Sequence, residues 1–445
     1  MTDHDHRQRT AHPGASPRLI LVLALVCGAA VGNVYFPQAV SPLVASGLHV
    51  SPDAAGAVVT ATQFGYAAGI CLLVPLGDRL PHRPLLVTLL TVTGLGLLAA
   101  SAAPGLVPLV GASALVGVTT VVAPLAGPLA ARLVPKERLG VTGGTLLSGS
   151  LAGMLLSRTV GGALGDRLGW RAPYVLAAVL SLAVAALSAR LLPRTTPPSA
   201  QRYPALLAEP LRLLRTEPGL RRSCLYQALV FAGFSAVWTG VAPLLTGPAY
   251  GMGAGAVGLL ALVNAVTMVC TPVAGRQVDR RGPDAVNRVC FLVVGASAAV
   301  LALGGLGGAV GVAALVVGTL LLDVGMQSGM VANQVRIQAL RAEVRSRLTT
   351  AYMTCAYLGG AVGSWLGMRA YGRFGWPGVC VLVAALTAVA LTRHMSATRR
   401  RSATRRRSAT RRTAGRFRRS AASATGASGP TMTARAAVTS REETP

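Results

Sequence analysis

Two short stretches decide the architecture: Val74-Pro-Leu-Gly-Asp78-Arg79-Leu-Pro-His82-Arg83 and Gly275-Arg-Gln-Val-Asp279-Arg280-Arg281-Gly282, whose aspartates lie 201 residues apart. Each is a polar turn between two long apolar runs, and each carries an Asp-Arg pair at the same place. A second pair of stretches repeats as well. Arg167-Leu-Gly169-Trp170 is matched by Arg373-Phe-Gly375-Trp376, 206 residues later. Nearly equal spacings at two separate places mark two parallel copies of one unit.

Outward from these turns, each copy is a series of apolar segments. The first holds spans at about 19–36, 54–76, 84–103, 105–131, 140–163 and 172–192. The second holds spans at about 223–246, 254–274, 287–307, 310–331, 348–368 and 377–393. A bilayer core takes about 20 apolar residues to cross. From Leu19 to Gly77 the only ionised side chain is Asp53. One such segment would fit a signal peptide; a series does not. The chain is 13% charged, against about 25% for soluble chains. The fold class is therefore an all-α integral membrane protein with twelve transmembrane helices in two six-helix repeats. Its divisions are an N-terminal lead (1–18), a first half (19–192), a central linker (193–222), a second half (223–393) and a tail (394–445).

The charges orient the chain. Of 42 Lys and Arg, 37 fall on the side of the two termini, the central linker and the two Asp-Arg turns, and five on the other. The positive-inside rule then predicts cytoplasmic termini and a multi-pass protein of the cell (inner) membrane. A net charge of +28 would suit nucleic acid, but 13 of the basic residues lie after His394 in a repetitive tail. No nucleic-acid partner is expected. The tail reads Ser-Ala-Thr-Arg-Arg-Arg at 396–401 and again at 402–407. It is expected to be disordered and to lie on anionic lipid. Leu206, Leu207, Leu211 and Leu214 give the linker an amphipathic stretch suited to the membrane surface. The seven cysteines stand singly, as small apolar side chains. His4, His6 and His12 belong to a disordered lead rather than a metal site. No metal and no cofactor are expected.

With these features the chain resembles the major facilitator superfamily, over about residues 18–393. The family's loop motif, Gly-x-x-x-Asp-Arg-x-Gly followed by a basic residue, fits the second turn through Gly282, with Gly275, Asp279 and Arg280 in place. The first turn keeps Asp78, Arg79 and Arg83 but has Val74 and Pro81 at the glycine positions and His82 at a basic one. Asn33-Val-Tyr35-Phe-Pro-Gln38 and Asn333-Gln334-x-Arg336-Ile337 resemble a drug-efflux, drug:proton antiporter branch. The chain departs from it at Ser113, where the family's span-4 arginine would fall, and in lacking a Gly-Pro pair in span 5. The resemblance implies a site near mid-membrane between the halves, lined by spans 1, 4, 7 and 10, and a monomer. A carboxylate at a helix N-terminus is favoured by the free N–H groups there. By the repeat symmetry Asp78 is expected to cap span 11 near 347–349, and Asp279 to cap span 5 near 139–142. The two would latch that side shut, with Arg79, Arg83 and Arg280 positioning them.

Polar residues inside apolar spans are the candidates for substrate and coupling: Asn33, Tyr35, Gln38, Gln63, Tyr226, Gln227, Trp238, Asn264, Asp323 and Gln327. Each amide has a structural alternative, a bond to a neighbouring helix. Asp323 is the only acidic residue well inside a span. An ionised carboxylate there is costly, so it is expected to be paired or protonated, and hence able to carry a proton. At about 1.5 Å per residue, Arg158 stands roughly 28 Å from its starting end and Asp323 roughly 20 Å from the other, on the order of 18 Å apart in height. Arg158 is therefore expected to snorkel outward rather than pair with Asp323.

The function expected is secondary active export of a small, moderately lipophilic compound by alternating access, coupled to protons. Uptake or exchange of a small metabolite by the same fold is the alternative. A membrane-embedded enzyme is remote: no HExxH and no P-loop is present, and the six histidines lie outside the spans.

Overall fold

The computed structural model describes residues 17–135, 138–193, 202–341 and 344–425. Its helices in order are α1 (Pro17–Gly47), α2 (Pro52–Leu72), α3 (His82–Ser101), α4 (Leu106–Thr119), α5 (Val122–Leu133), α6 (Leu139–Leu168), α7 (Arg171–Leu191), α8 (Tyr203–Thr216), α9 (Pro218–Thr246), α10 (Ala254–Val263), α11 (Cys270–Arg281), α12 (Pro283–Ala302), α13 (Gly308–Gln338) and α14 (Arg345–Thr425). Among the described residues nine helices are long and apolar enough to cross a membrane, and the bent pair Ala254–Thr267 and Pro272–Arg281 makes a tenth. Two further spans are α6, of 30 residues, and the second part of α14, which a non-helical Gly375 (φ 63°) divides from the first. The twelve spans are present, two of them broken. A proline lies just after each break. Pro124, with no N–H to give the carbonyl four residues back, follows the point where α4 gives way to α5. Pro272 likewise follows the 3₁₀ stretch, Asn264–Val269, that joins α10 to α11.

The repeat persists in the packing. In the first half α1 and α6 meet backbone to backbone: a Cβ on Gly153 would lie 2.0 Å from the Gly28 carbonyl oxygen, and one on Gly149 2.5 Å from that of Ala24. In the second half, at the offset of 206, a Cβ on Gly359 would lie 2.4 Å from the Ala228 oxygen of α9. Small residues permit this approach, and in lipid it is packing of this kind that holds helices together. Gly153→Val is therefore expected to force α1 from α6 at a cost of about 1–3 kcal/mol. A thermal-unfolding scan in detergent should show a lowered midpoint, while Gly143→Val, whose Cβ would meet nothing within 4 Å, should not.

The halves meet most closely toward one end. Here α6 lies against α10, where a Cβ on Gly162 would meet the Ala254 oxygen at 2.5 Å, and α2 lies against α14, with Gly56 beside Met368. This end is opposite the arginine-rich turns. At the arginine-rich end the linker helix α8 lies over the bundle. Tyr203 Oη donates to the Leu72 carbonyl at 2.6 Å, and Glu209 pairs with Arg347. Its buried side is Leu206, Pro210 and Leu213, whereas Leu211, expected on the apolar face, points outward at 59% exposure.

Two expectations need correction here. The tail was expected to be disordered from 394, yet α14 stays helical to Thr425. No Gly or Pro interrupts 379–414, and Ala and Arg are good helix formers without tertiary support. His82, expected in a loop, is the buried first residue of α3. The lead 1–16, residues 194–201 of the linker and the tail beyond Thr425 lie outside the described residues.

Candidate functional site

A cavity of about 440 Å³ runs from the middle of the bundle to the arginine-rich end. Its inner end is aromatic: Tyr35 of α1, Tyr66 of α2, Phe231 of α9 and Tyr357 of α14. Tyr357 holds the group together. Its ring stands edge-on to Tyr66 (4.4 Å between centroids) and to Phe231 (5.1 Å), and its hydroxyl lies 3.4 Å from that of Tyr35. The flanks carry Met154, Met326, Met330 and Met353, and the mouth lies at Val74, Ser346 and Thr349. No lining residue carries a formal charge. Gln227 and Gln327 also line it; the Gln227 carbonyl accepts from Tyr352 Oη at 2.9 Å.

Beyond the aromatic floor, toward the closed end, lies a charged layer. Arg158 of α6 is fully buried. Its Nε and Nη2 donate to Gln38 Oε1 at 3.1 and 2.6 Å. Its guanidinium lies over the Trp238 ring at 4.2 Å and the Tyr35 ring at 4.9 Å. Trp238 Nε1 in turn donates to Asp323 Oδ1 at 3.1 Å. Trp238 thus stands between the buried cation and the buried acid, its face to one and its N–H to the other. Opposite charges attract more strongly in such a desolvated layer than in water, and the Trp238 ring and the Gln38 amide carbonyl supply further contacts to the guanidinium.

The expectation that Arg158 and Asp323 lie far apart is therefore corrected. The helix continues past 163 to Leu168, which puts Arg158 about 15 Å from the closed end, against about 22 Å for Asp323 in α13. A difference of about 7 Å is within reach of an arginine side chain and a tilted helix. The segment after 163 reads as loop because it contains Asp166 and Arg167. Asp166 is used up inside the fold. Its Oδ1 accepts from Ala254 N at 2.8 Å and its Oδ2 from Gly255 N at 2.6 Å, so it caps the N-terminus of α10 across the two halves. Asp166→Ala would remove both charge-assisted bonds, each about 1.5–3 kcal/mol, and let the closed end part. Spin labels at Leu168→Cys and Met252→Cys, in a background free of native cysteines, should show a longer distance population.

The other candidates divide. Tyr35, Gln38, Trp238 and Asp323 converge on the charged layer or its floor, and Gln227 and Gln327 on the cavity. Asn33 does not: it donates to Thr120 Oγ1 at 3.3 Å and Ser181 Oγ at 3.1 Å, tying spans 1, 4 and 6. Asn264 likewise donates to Thr319 Oγ1 at 3.0 Å. Tyr226 packs edge-on to Phe291 at 5.1 Å, beneath Arg222 and Arg336. Gln63 is buried where α2 meets α14, its Oε1 3.0 Å from a Cβ built on Gly360. The cavity draws on spans 2, 5 and 11 as well as 1, 4, 7 and 10.

The turn residues are placed as follows. Asp78 shares a small pocket with Ser346, Arg347 and Thr350 at the start of α14, but no hydrogen bond to that helix end is formed among the described residues. Arg79 is exposed, and Arg83 donates to the Ala189 carbonyl. Gly275 has open space around it, and Asp279 and Arg280 are exposed. Asp279 is thus open to solvent in this structure. Gly282 sits at φ 79°, where a side chain would be strained, and turns the chain into α12.

The Major Facilitator Superfamily profile matches residues 21–363. The chain belongs to this superfamily. Among its relatives in the superfamily is the uncharacterized transporter YgaY of Escherichia coli O157:H7, 35% identical over 376 residues, 84% of this chain and 94% of that one. The Chloramphenicol resistance protein of Streptomyces lividans is 32% identical over 274 residues, 59% of this chain and 67% of that one. Among solved structures, the nucleoside transporter NupG has a TM-score of 0.69 at 14% identity, covering 85% of this chain and 99% of NupG; that likeness shows the fold. As a member of the superfamily the chain is a transporter.

Proposed function

We propose that this transporter exports small, moderately lipophilic compounds from the cytoplasm by alternating access, and that a proton on Asp323 drives the exchange. The observation that carries this reading is the cavity lining. Four aromatic and four methionine side chains, with no formal charge among the lining residues, make an apolar and adaptable surface. The mouth lies at the arginine-rich end, which the positive-inside rule assigns to the cytoplasm, so a compound would enter from there. The similarity to a chloramphenicol resistance protein supports export of compounds of this kind.

The proton has one natural carrier. Asp323 is 2% exposed at the middle of α13, and an intramembrane acid is costly when ionised without a partner. Trp238 Nε1 donates to its Oδ1 and Arg158 lies on the far side of that ring; a compound approaching from the cavity side would change those contacts and so whether Asp323 holds a proton. Both termini then lie in the cytoplasm, and Asp78 and Asp279 would latch that side only in the opposite state.

The test is susceptibility profiling in a host stripped of its own efflux pumps, with the chain or an empty vector. Raised tolerance to a set of lipophilic compounds, abolished by a proton uncoupler, is the expected result. Unchanged susceptibility across a broad panel, with the chain present at normal levels in the membrane, would refute export of this class.

A further inference from the structure

We propose that the groove between α2 and α14 at the closed end holds one phospholipid whose headgroup carries both a phosphate and a primary ammonium, with Arg369 on the phosphate and Asp53 on the ammonium. The groove has a volume of about 400 Å³, and Asp53, Thr60, Phe64, Trp365, Met368 and Arg369 are among its lining. Its base is the contact between the halves, Gly56 against Met368 and Thr60 Oγ1 donating to Ser364 Oγ at 3.4 Å. It opens outward, where Phe64 is 41% and Trp365 49% exposed, so its walls face the acyl chains.

The two charges sit at one level. Asp53 is in the first turn of α2, and its Cβ lies 3.9 Å from a Cβ built on Gly372. Arg369 is one turn earlier on the same helix as Gly372 and so on nearly the same face. Yet they do not pair: no ion pair to either is formed among the described residues. Arg369 instead lies over the Trp365 ring, 5.4 Å from its centroid. Opposite charges near the end of two spans, with aromatic rings beneath them, match the vertical order of a phospholipid: charged headgroup, interface, acyl chain. An ammonium with N–H donors can hydrogen-bond Asp53; a trimethylammonium cannot. A phosphoglycerol headgroup offers Arg369 a phosphate but Asp53 nothing to balance its charge.

This inference is independent of what is transported. Its test is native mass spectrometry of the purified full-length transporter, titrated separately with phosphatidylethanolamine and phosphatidylcholine of the same acyl chains. Retention of one phosphatidylethanolamine about tenfold more tightly than phosphatidylcholine is expected, since one charge-assisted hydrogen bond is worth at least that. Asp53→Asn should abolish the preference and leave phosphatidylcholine retention unchanged, Asp53→Glu should keep it, and Arg369→Gln should weaken both lipids. Equal retention of the two lipids by the unaltered protein, or a preference that survives Asp53→Asn, would overturn the proposal. So would the finding that Asp53 and Arg369 bind each other directly, read as equal loss of thermal stability in both variants with no dependence on headgroup.

Discussion

Asp323→Asn is expected to abolish uphill transport while the protein still reaches the membrane, because Arg158 keeps its two bonds to Gln38. The amide keeps the shape of the carboxyl and can still accept from Trp238 Nε1, now 3.1 Å from Oδ1, but it cannot take up or release a proton. With a gradient of about one pH unit, one proton per cycle supports about tenfold accumulation, because one unit is worth about 1.4 kcal/mol. The variant should show none. Compound should still equilibrate across the membrane if the halves can move. The measurement is accumulation of a labelled compound in everted vesicles with an imposed gradient; retained tenfold accumulation would remove Asp323 from the coupling.

The second large effect is expected at Arg158. Arg158→Met leaves Asp323 buried without its neighbouring cation and leaves the Gln38 carbonyl without its two donors. Removing one partner of a buried pair costs about 3–5 kcal/mol, enough to lower membrane levels or to trap the protein. Removing both should cost much less. The double variant Arg158→Met with Asp323→Asn is therefore expected to regain most of the lost thermal stability but not transport. Arg158→Lys should fold yet transport slowly, since an ammonium cannot reproduce the two-donor contact with Gln38 or the flat stacking over Trp238. A thermal scan of the four proteins forms the cycle. Additive losses would mean that Arg158 and Asp323 do not sense each other.

Much of the fold was legible because membrane helices follow simple rules of length, charge and repetition. The turns at Asp78 and Asp279 and the Trp170 and Trp376 pair marked the duplication, and packing at Gly153 and Gly359 follows the same offset. The site was legible only in part. Asp323, Trp238, Gln38 and Tyr35 stood out as polar or amphipathic residues in apolar runs. Arg158 was misplaced because Asp166 made the end of α6 look like a loop, and nothing in one sequence shows that its carboxylate caps α10. Tyr66, Phe231, Tyr357 and the methionines carried no signal, since in a membrane span an aromatic or a methionine is ordinary. Only three-dimensional convergence gathers a scarce residue type, 4% aromatic overall, at one end of one cavity. Asn33 and Asn264 show the converse: a polar residue in a span can tie helices rather than line a path.

The most direct test of proton-coupled export is compound-evoked proton movement in proteoliposomes containing only this protein. A pH-sensitive dye inside the vesicles reports protons while a lipophilic compound, chosen from the susceptibility profile, is added outside. The account predicts a proton flux that appears on adding compound, runs opposite to it, and is absent with Asp323→Asn. Compound movement with no accompanying proton flux, or a flux that Asp323→Asn leaves intact, would contradict it.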